Sequence, residues 1–122
     1  MAGSSTLQEL FDALRRFGDR PAIVALQKEG ADIWPYQKLS EHLTRLAAGL
    51  TDAGLRRGDR VALFARNSPE WIVACLAAMQ AGGVAVPVDA QLGDRTLQRL
   101  LHDSDARFAF TTTDELPRLQ TV

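Results

Sequence analysis

Between Gly58 and Asp89 the chain reads GDRVALFARNSPEWIVACLAAMQAGGVAVPVD, and few folds accommodate that stretch. Gly58-Asp59 is a turn. The run Val61 to Ala65 contains no polar residue. A strand with one wet face alternates in polarity, so a continuous apolar run fits a strand covered on both faces, as in a parallel sheet. Asn67-Ser68-Pro69-Glu70 then has the form of a helix start. Ser68 can accept a hydrogen bond from an orphan N–H of the first turn, and Pro69 has no N–H to lose. Glu70 places negative charge at the positive end of the helix dipole. Gly82-Gly83 ends that helix, because glycine enters the left-handed region without a Cβ clash. Val84 to Val88 reads as a second apolar strand. Strand, helix, strand is a βαβ unit, which calls for parallel strands and a right-handed crossover.

The same letters raise a rival reading. From Trp71 to Val88 there is no charge, and Gln80 is the one strongly polar side chain, so the length suits a membrane span. Two glycines and Pro87 interrupt the run, however, and much of it is alanine, which drives insertion poorly beside Leu, Ile or Phe. A helix that is apolar all round is otherwise a buried one, and a buried core helix is the expectation.

Three blocks of this stretch resemble the adenylate-forming superfamily of acyl-CoA synthetases, peptide-synthetase adenylation domains and beetle luciferases. They are Gly58-Asp59-Arg60-Val61-Ala62, Asn67-Ser68-Pro69-Glu70-Trp71, and Gln80-Ala81-Gly82-Gly83-Val84-Ala85-Val86-Pro87-Val88. The last is similar to an early core motif in which lysine or a similar residue precedes Ala-Gly and a strand ends in Val-Pro. Asn-Ser-Pro-Glu-Trp looks more like the acyl-CoA ligases than the peptide-synthetase branch. The resemblance runs from about Asp19 onward. It implies an α/β fold, mainly a parallel sheet of βαβ units with covering helices, forming the N-terminal part of an acyl-CoA synthetase-like large domain.

Composition agrees with a globular piece of that kind. The 122 residues are 46% hydrophobic and 24% charged, with a net charge of −1. An ordered, globular chain is expected on those grounds, and nothing steers it to nucleic acid or an acidic membrane. Arg56, Arg57 and Arg60 surround a turn that also holds Asp59, so a solvated loop is expected rather than a phosphate patch. Cys75 is the sole cysteine, so an internal disulfide is ruled out. Its place in an apolar helix suits a buried thiol; a nucleophile needs an electropositive, partly exposed setting. Met1 to Thr6 shows no basic segment leading into an apolar core, and Ala2 stands where myristoylation requires glycine. A cytoplasmic location is the default, with peripheral membrane contact allowed for a longer parent protein.

In chain order, residues 1–18 are expected to hold a helix capped by Thr6 and running from Leu7 to about Phe17. Leu7, Leu10, Phe11, Leu14 and Phe17 share one face, and the acids Glu9 and Asp12 favour a docking helix over a membrane-surface one. Residues 19–57 read as a hairpin, Ala22 to Leu26 and then Ile33-Trp34, followed by an amphipathic helix. That helix starts near Trp34-Pro35-Tyr36 and carries Leu39, Leu43, Leu46, Ala47 and Leu50. The family commonly has Thr or Ser where Pro35 stands, so a side-chain cap is missing and Pro35 is expected in the first turn. Gly54 is the left-handed residue past the helix end, with Leu55 folding back. Residues 58–113 read as a βαβαβ core, with Asp94 capping a short helix that bears Leu97, Leu100 and Leu101. Asp105 is left-handed at its end. Arg107 to Thr112 is a strand with Phe108 and Phe110 on one face. Residues 114–122 read as a connector or an incomplete element.

Candidate functional residues are few. Asp89 follows a parallel strand, the end of the sheet where ligands collect in open α/β proteins; a turn role is the stronger expectation. His42 and His102 fall on different helices, and no cluster has metal-ligand spacing. Adenylation sets a carboxylate against a triphosphate, so it needs a backbone cradle or cations. The family supplies them from a Ser/Thr/Gly-rich loop ending in lysine, a ribose-binding aspartate, a magnesium-linked glutamate and a distal lysine. None of these motifs is found here. Lys28 and Lys38 lack glycine-rich context, and Thr111-Thr112-Thr113 is followed by neither glycine nor lysine. No catalytic, cofactor-binding or metal residue is therefore assigned.

The resemblance implies the N-terminal part of a long- or medium-chain fatty acid–CoA ligase, with ATP, Mg²⁺ and coenzyme A serving the parent protein and none binding this piece tightly. The piece itself is expected to be inactive. Its partners are then the remainder of the adenylation domain and, for the parent protein, a carboxylic (fatty) acid substrate; apolar surface or an unpaired strand left by cutting the sheet also allows a homo-oligomer. Another adenylating branch and a non-catalytic interaction or dimerisation module of the same fold are the alternatives. A receiver-like domain fits poorly, because Ala22 to Leu26 and Arg107 to Thr112 supply neither its acidic pair nor its lysine.

Overall fold

The computed structural model describes residues 6–121. Its centre is the strand β3 (Arg60–Phe64), whose residues Val61 to Phe64 are fully buried. Two faces cover it, as the unbroken apolar run requires. Val61 joins a cluster with Leu39, Leu43, Ala47, Leu50, Val73, Ala77 and Ala78; Ala62 and Phe64 join Val88 and Leu97 on the opposite face. Burying a side chain of the size of Val, Leu or Phe contributes about 1.5–3 kcal/mol, so this strand anchors both layers.

Nine further elements of the described residues belong with or around that strand. The helix α1 (Leu7–Arg16) is followed by the hairpin β1 (Pro21–Gln27) and β2 (Gly30–Pro35), then by α2 (Tyr36–Asp52). After β3 come α3 (Pro69–Gln80), β4 (Val84–Pro87), α4 (Asp94–Ser104) and β5 (Phe108–Thr111), and α5 (Leu116–Thr121) ends the described chain. The strands β4, β3 and β5 lie in that order and are parallel throughout. Because β5 returns past β3, the crossovers α3 and α4 occupy opposite faces, α3 beside α2 and α4 with Leu97 against Ala62 and Phe64. Phe108 and Phe110 face the α2–α3 layer and Ala109 faces away, as their alternation predicts.

The caps show which local signals act. Ser68 Oγ accepts from Trp71 N–H at 3.1 Å, with Pro69 in the first helical turn. Past the end of α3, Gly82 has φ +90° and Gly83 N–H donates to Ala78 O at 2.8 Å. Gly83 serves packing: a Cβ there would lie 3.1 Å from two backbone carbonyl oxygens, of Ala78 and Asp59, and 3.3 Å from a methyl of Leu55. Gly54 (φ +103°) and Leu55, whose N–H donates to Leu50 O at 2.9 Å, close α2 as expected. Thr6 and Glu9 cap α1 reciprocally, and Asp105 is left-handed at φ 54°.

Five details differ from the sequence reading. Pro35 is the N-cap of α2, outside its first turn, and makes no side-chain cap. The backbone replaces one: Tyr36 N–H donates to Arg20 O at 2.9 Å and Gln37 N–H to Gly18 O at 2.8 Å. Asp94 is the first residue of α4 and Gly93 its N-cap, because the Asp94 carboxylate is taken by Arg118. The helix α3 is covered on one side only: Val73, Ala74, Ala77 and Ala78 are buried, while Trp71, Ile72, Cys75, Leu76 and Met79 stay half-buried. The strand β4 stops at Pro87, which has no N–H for the ladder, although Val88 N–H still donates to Leu63 O at 3.0 Å. Finally, residues 116–121 are helical, begun by Thr112, whose carbonyl accepts from Leu116 N–H at 2.9 Å.

Arg118 on α5 ties distant segments together. Its Nε donates to Asp94 Oδ1 at 2.9 Å and one terminal nitrogen to Ala90 O at 2.8 Å; the other donates to Leu92 O. Its guanidinium carbon lies 5.2 Å from the Phe64 ring centroid. One planar cation thus fixes the loop after β4 against the end of β3. Arg107 and Asp59 pair at 2.9 Å at the other end of the sheet, but that pair is open to water and contributes at most about 1 kcal/mol.

Three outcomes follow. Gly83→Ala should cost roughly 1–3 kcal/mol in urea unfolding, since two backbone oxygens must give way, whereas Gly49→Ala inside α2, with nothing within 4 Å of the added methyl, should leave stability unchanged or raise it by up to about 1 kcal/mol. Arg118→Met should lose roughly 1–3 kcal/mol and speed amide exchange over residues 89–94; protection there equal to wild type would dismiss the clamp. Burial pushes the Cys75 thiol above its ordinary value of 9.0. The folded state then holds its proton to higher pH than the unfolded state does. That contribution is full below the unfolded value and fades as pH rises through the folded one. Iodoacetamide should therefore modify Cys75 more slowly in the native chain than in urea at the same alkaline pH, and equal rates would refute the burial argument.

Candidate functional site

Three connections leave the carboxyl ends of the parallel strands: 65–68 from β3, 88–93 from β4 and 112–115 from β5. Between the first two lies a depression of about 540 Å³, walled by Arg66, Asn67, Trp71, Asp89 and Gln91 with Glu115 beyond. A neighbouring one of about 440 Å³ lies between Arg66, Ser68 and Glu70 and the 112–115 segment, with Thr112 and Asp114. The sheet places them there for a topological reason. The crossovers from β3 and β4 pass over opposite faces, so their loops diverge at this edge and leave a crevice.

Asp89 lies in the first depression, but its carboxylate is already engaged. Oδ1 accepts from Gln91 N–H at 2.9 Å, and its carbonyl accepts from Leu92 N–H at 3.2 Å. That is an Asx turn, the role the sequence favoured. The other candidates are not brought together. His42 and His102 are exposed on α2 and α4, on opposite faces of the sheet. His42 lies tilted at 57° against Trp34, with ring centroids 5.0 Å apart, and Lys38 Nζ sits 4.1 Å from the same ring's centroid. The threonines are structural: Thr111 Oγ1 donates to Phe64 O at 2.8 Å, and Thr112 Oγ1 accepts from Glu115 N–H at 3.3 Å.

The residues at this edge do not fit a nucleoside triphosphate. Arg66 is the cation that lines the two depressions, with Glu70, Asp89, Asp114 and Glu115 around them and Glu115 paired with Arg118 at 3.4 Å. Lys28 and Lys38 belong to the hairpin turn and α2. The tight glycine, Gly83, packs helix against strand instead of opening a cradle. Among the described residues no group of three or more His, Cys, Asp or Glu could hold a metal ion. Among the described residues the arrangement offers a shaped, polar strand edge rich in carboxylates.

The residue that sequence reasoning missed is Arg118, which fixes the loop bearing Asp89. Its partners lie 24 to 28 residues upstream. No local spacing signals them, and the stretch around it reads as a connector.

Comparison with known proteins gives this edge a context. Residues 10–122 match the profile of the AMP-binding enzyme family. The chain is 38% identical over 101 residues to a feruloyl-CoA synthase of an Amycolatopsis species, covering 83% of this chain and 20% of that protein. It is 30% identical over 117 residues to syringomycin synthase SyrB1 of Pseudomonas syringae pv. syringae, covering 95% and 18%. Klebsiella oxytoca NpsA, solved in complex with 3-hydroxyanthranilyl-AMSN, superposes with a TM-score of 0.79 at 32% identity over 89% of this chain and 22% of that one. The chain thus spans about a fifth of the length of these relatives. The parallel α/β sheet matches the N-terminal subdomain of adenylate-forming enzymes, and the chain belongs to the AMP-binding enzyme family.

Proposed function

We propose that these residues form the N-terminal part of the large domain of a carboxylate-activating ligase. Such an enzyme joins a carboxylic acid to the adenylyl group of ATP, releasing pyrophosphate, and then passes the acyl group to the thiol of coenzyme A, releasing AMP. The family match over residues 10–122 carries this reading. The Asn67 to Trp71 block and the similarity to a CoA-dependent synthase support the CoA branch. ATP, Mg²⁺ and coenzyme A belong to the whole enzyme, and a fatty acid is its substrate in this reading. The role of these 122 residues is architectural. They build one layered section of the sheet, present its carboxyl edge to the remainder of the adenylation domain, and have no activity alone. A cytoplasmic location goes with this reading; among the described residues no helix is long and apolar enough to cross a membrane.

A second branch has support of its own. SyrB1 is 30% identical, and NpsA has been solved as an artificially fused di-domain of adenylation domain and peptidyl carrier protein. An enzyme that loads an amino acid or aryl acid onto a carrier protein has the same fold and the same first half-reaction, with a different thiol acceptor.

ATP–pyrophosphate exchange by the purified 122-residue chain, tried with fatty and aromatic acids, should not rise above the blank without acid. Exchange by this chain would overturn the architectural role. Sequence read from the source gene past codon 122 should contain a Ser/Thr/Gly-rich loop ending in lysine, and the longer product should form a CoA thioester. Acylation of a carrier protein with none of CoA would select the second branch.

A further inference from the structure

A sheet edge is a row of unpaired N–H and C=O groups, and chains that leave one open ordinarily block it with proline or charge. Among the described residues the edge strands are β1 and β2 in one sheet and β4 and β5 in the other. β1 carries Pro21, β2 carries Asp32 and Pro35, and β4 carries Pro87. β5, Phe108-Ala109-Phe110-Thr111, carries neither proline nor charge. The block on β4 sits where it acts. Val84 N–H donates to Asp59 O at 2.8 Å and Val88 N–H to Leu63 O at 3.0 Å, so those residues turn their main-chain groups toward β3. Main-chain groups alternate in direction along a strand, so Ala85 and Pro87 face outward, and Pro87 has no N–H to offer. On β5 the matching bond is Arg107 N–H to Arg60 O at 3.0 Å, one residue ahead of the strand. The same alternation turns the N–H and C=O of Phe108 and Phe110 outward, with nothing to block them.

The route of the chain favours the same edge. α3 leads from β3 to β4 over one face, and α4 leads back past β3 to β5 over the other. Parallel crossovers are right-handed, so the face a crossover takes fixes its direction: the α3 face leads toward β4 and the α4 face toward β5. α5 follows β5 on the α4 face, where Leu119 packs against the cluster of Phe64 and Leu97 and Arg118 holds Asp94. A crossover begun there lands beyond β5. That side also has a face left to cover, because Ala109 is exposed although its cross-strand neighbour Ala62 is fully buried.

We infer that β5 is the growing edge of the sheet, that the polypeptide following α5 supplies a parallel strand that pairs with it, and that β4 ends the sheet. This rests on the reading of these residues as part of a longer domain. A separate chain is the poorer occupant. The outward groups of Phe108 and Phe110 make too few hydrogen bonds to offset the translational and rotational freedom a free partner loses, a cost that a tethered segment largely escapes.

Amide exchange, read residue by residue on the longer product of the source gene and on the 122-residue chain, tests this. Phe108 and Phe110 should exchange freely in the short chain and at least about tenfold more slowly in the longer protein, the change that one net hydrogen bond supports. Ala85 should exchange alike in both. Phe108 and Phe110 amides as fast in the longer protein as in the short chain would overturn the inference, as would slowing at Ala85 alone or a stop codon directly after codon 122. Slowing that develops in the short chain as its concentration rises would put a second copy on the edge and overturn it equally. Acyl-adenylate formation is scored separately on the longer protein. An active enzyme with open β5 amides would remove the added strand and keep the ligase reading; protected amides in a protein that activates no acid would do the reverse.

Discussion

The burial of β3 on both faces is the constraint from which the other elements take their places. A strand with no wet side must have a layer above and a layer below, and each layer must meet residues of one parity. Val61 looks to α2 and α3, while Ala62 and Phe64 look to α4 and Leu97. A parallel neighbour on each side then demands two crossovers, and one chain can cover both faces only by sending them over opposite sides. The loop divergence at the carboxyl edge follows from that arrangement. The crevice there is a product of topology before it is a product of any side chain.

The elements with short-range logic were legible in the sequence. Ser68-Pro69, Gly54-Leu55, Gly82-Gly83 and the Thr6 cap each act within one helical turn, and the structure uses each as its chemistry dictates. The polarity of β3 and the alternation of β5 likewise carried their surroundings with them. What was not legible depends on partners far along the chain. Asp94 looks like a cap until Arg118 claims its carboxylate. The all-apolar α3 implied complete burial, yet one flank is left half-covered because the described residues supply a layer on one side only. At the carboxyl edge the sequence could offer Asp89 as a position and nothing about its engagement, because the Gln91 N–H reaches it only once the turn is folded.

Membership of the AMP-binding family rests on the fold and its local motifs, not on any reacting group among the described residues. The cations and backbone donors that a triphosphate demands are not gathered here; the acids that line the crevice would repel one. Of the letters that identify the family, Gly83 serves helix-to-strand packing and Gly82 the left-handed turn before it.

The start of α2 separates two things usually found together. Its first donors are satisfied by the carbonyls of Gly18 and Arg20, so a neighbouring turn holds the helix in place and position 35 need not. A position relieved of that duty is open to substitution over evolutionary time, while the curve of the backbone at 18–20 is not. Drift would then accumulate at the residue that looks like the cap, and constraint would fall on a loop whose side chains give no sign of it. Helix initiation here is inherited as a shape of the main chain.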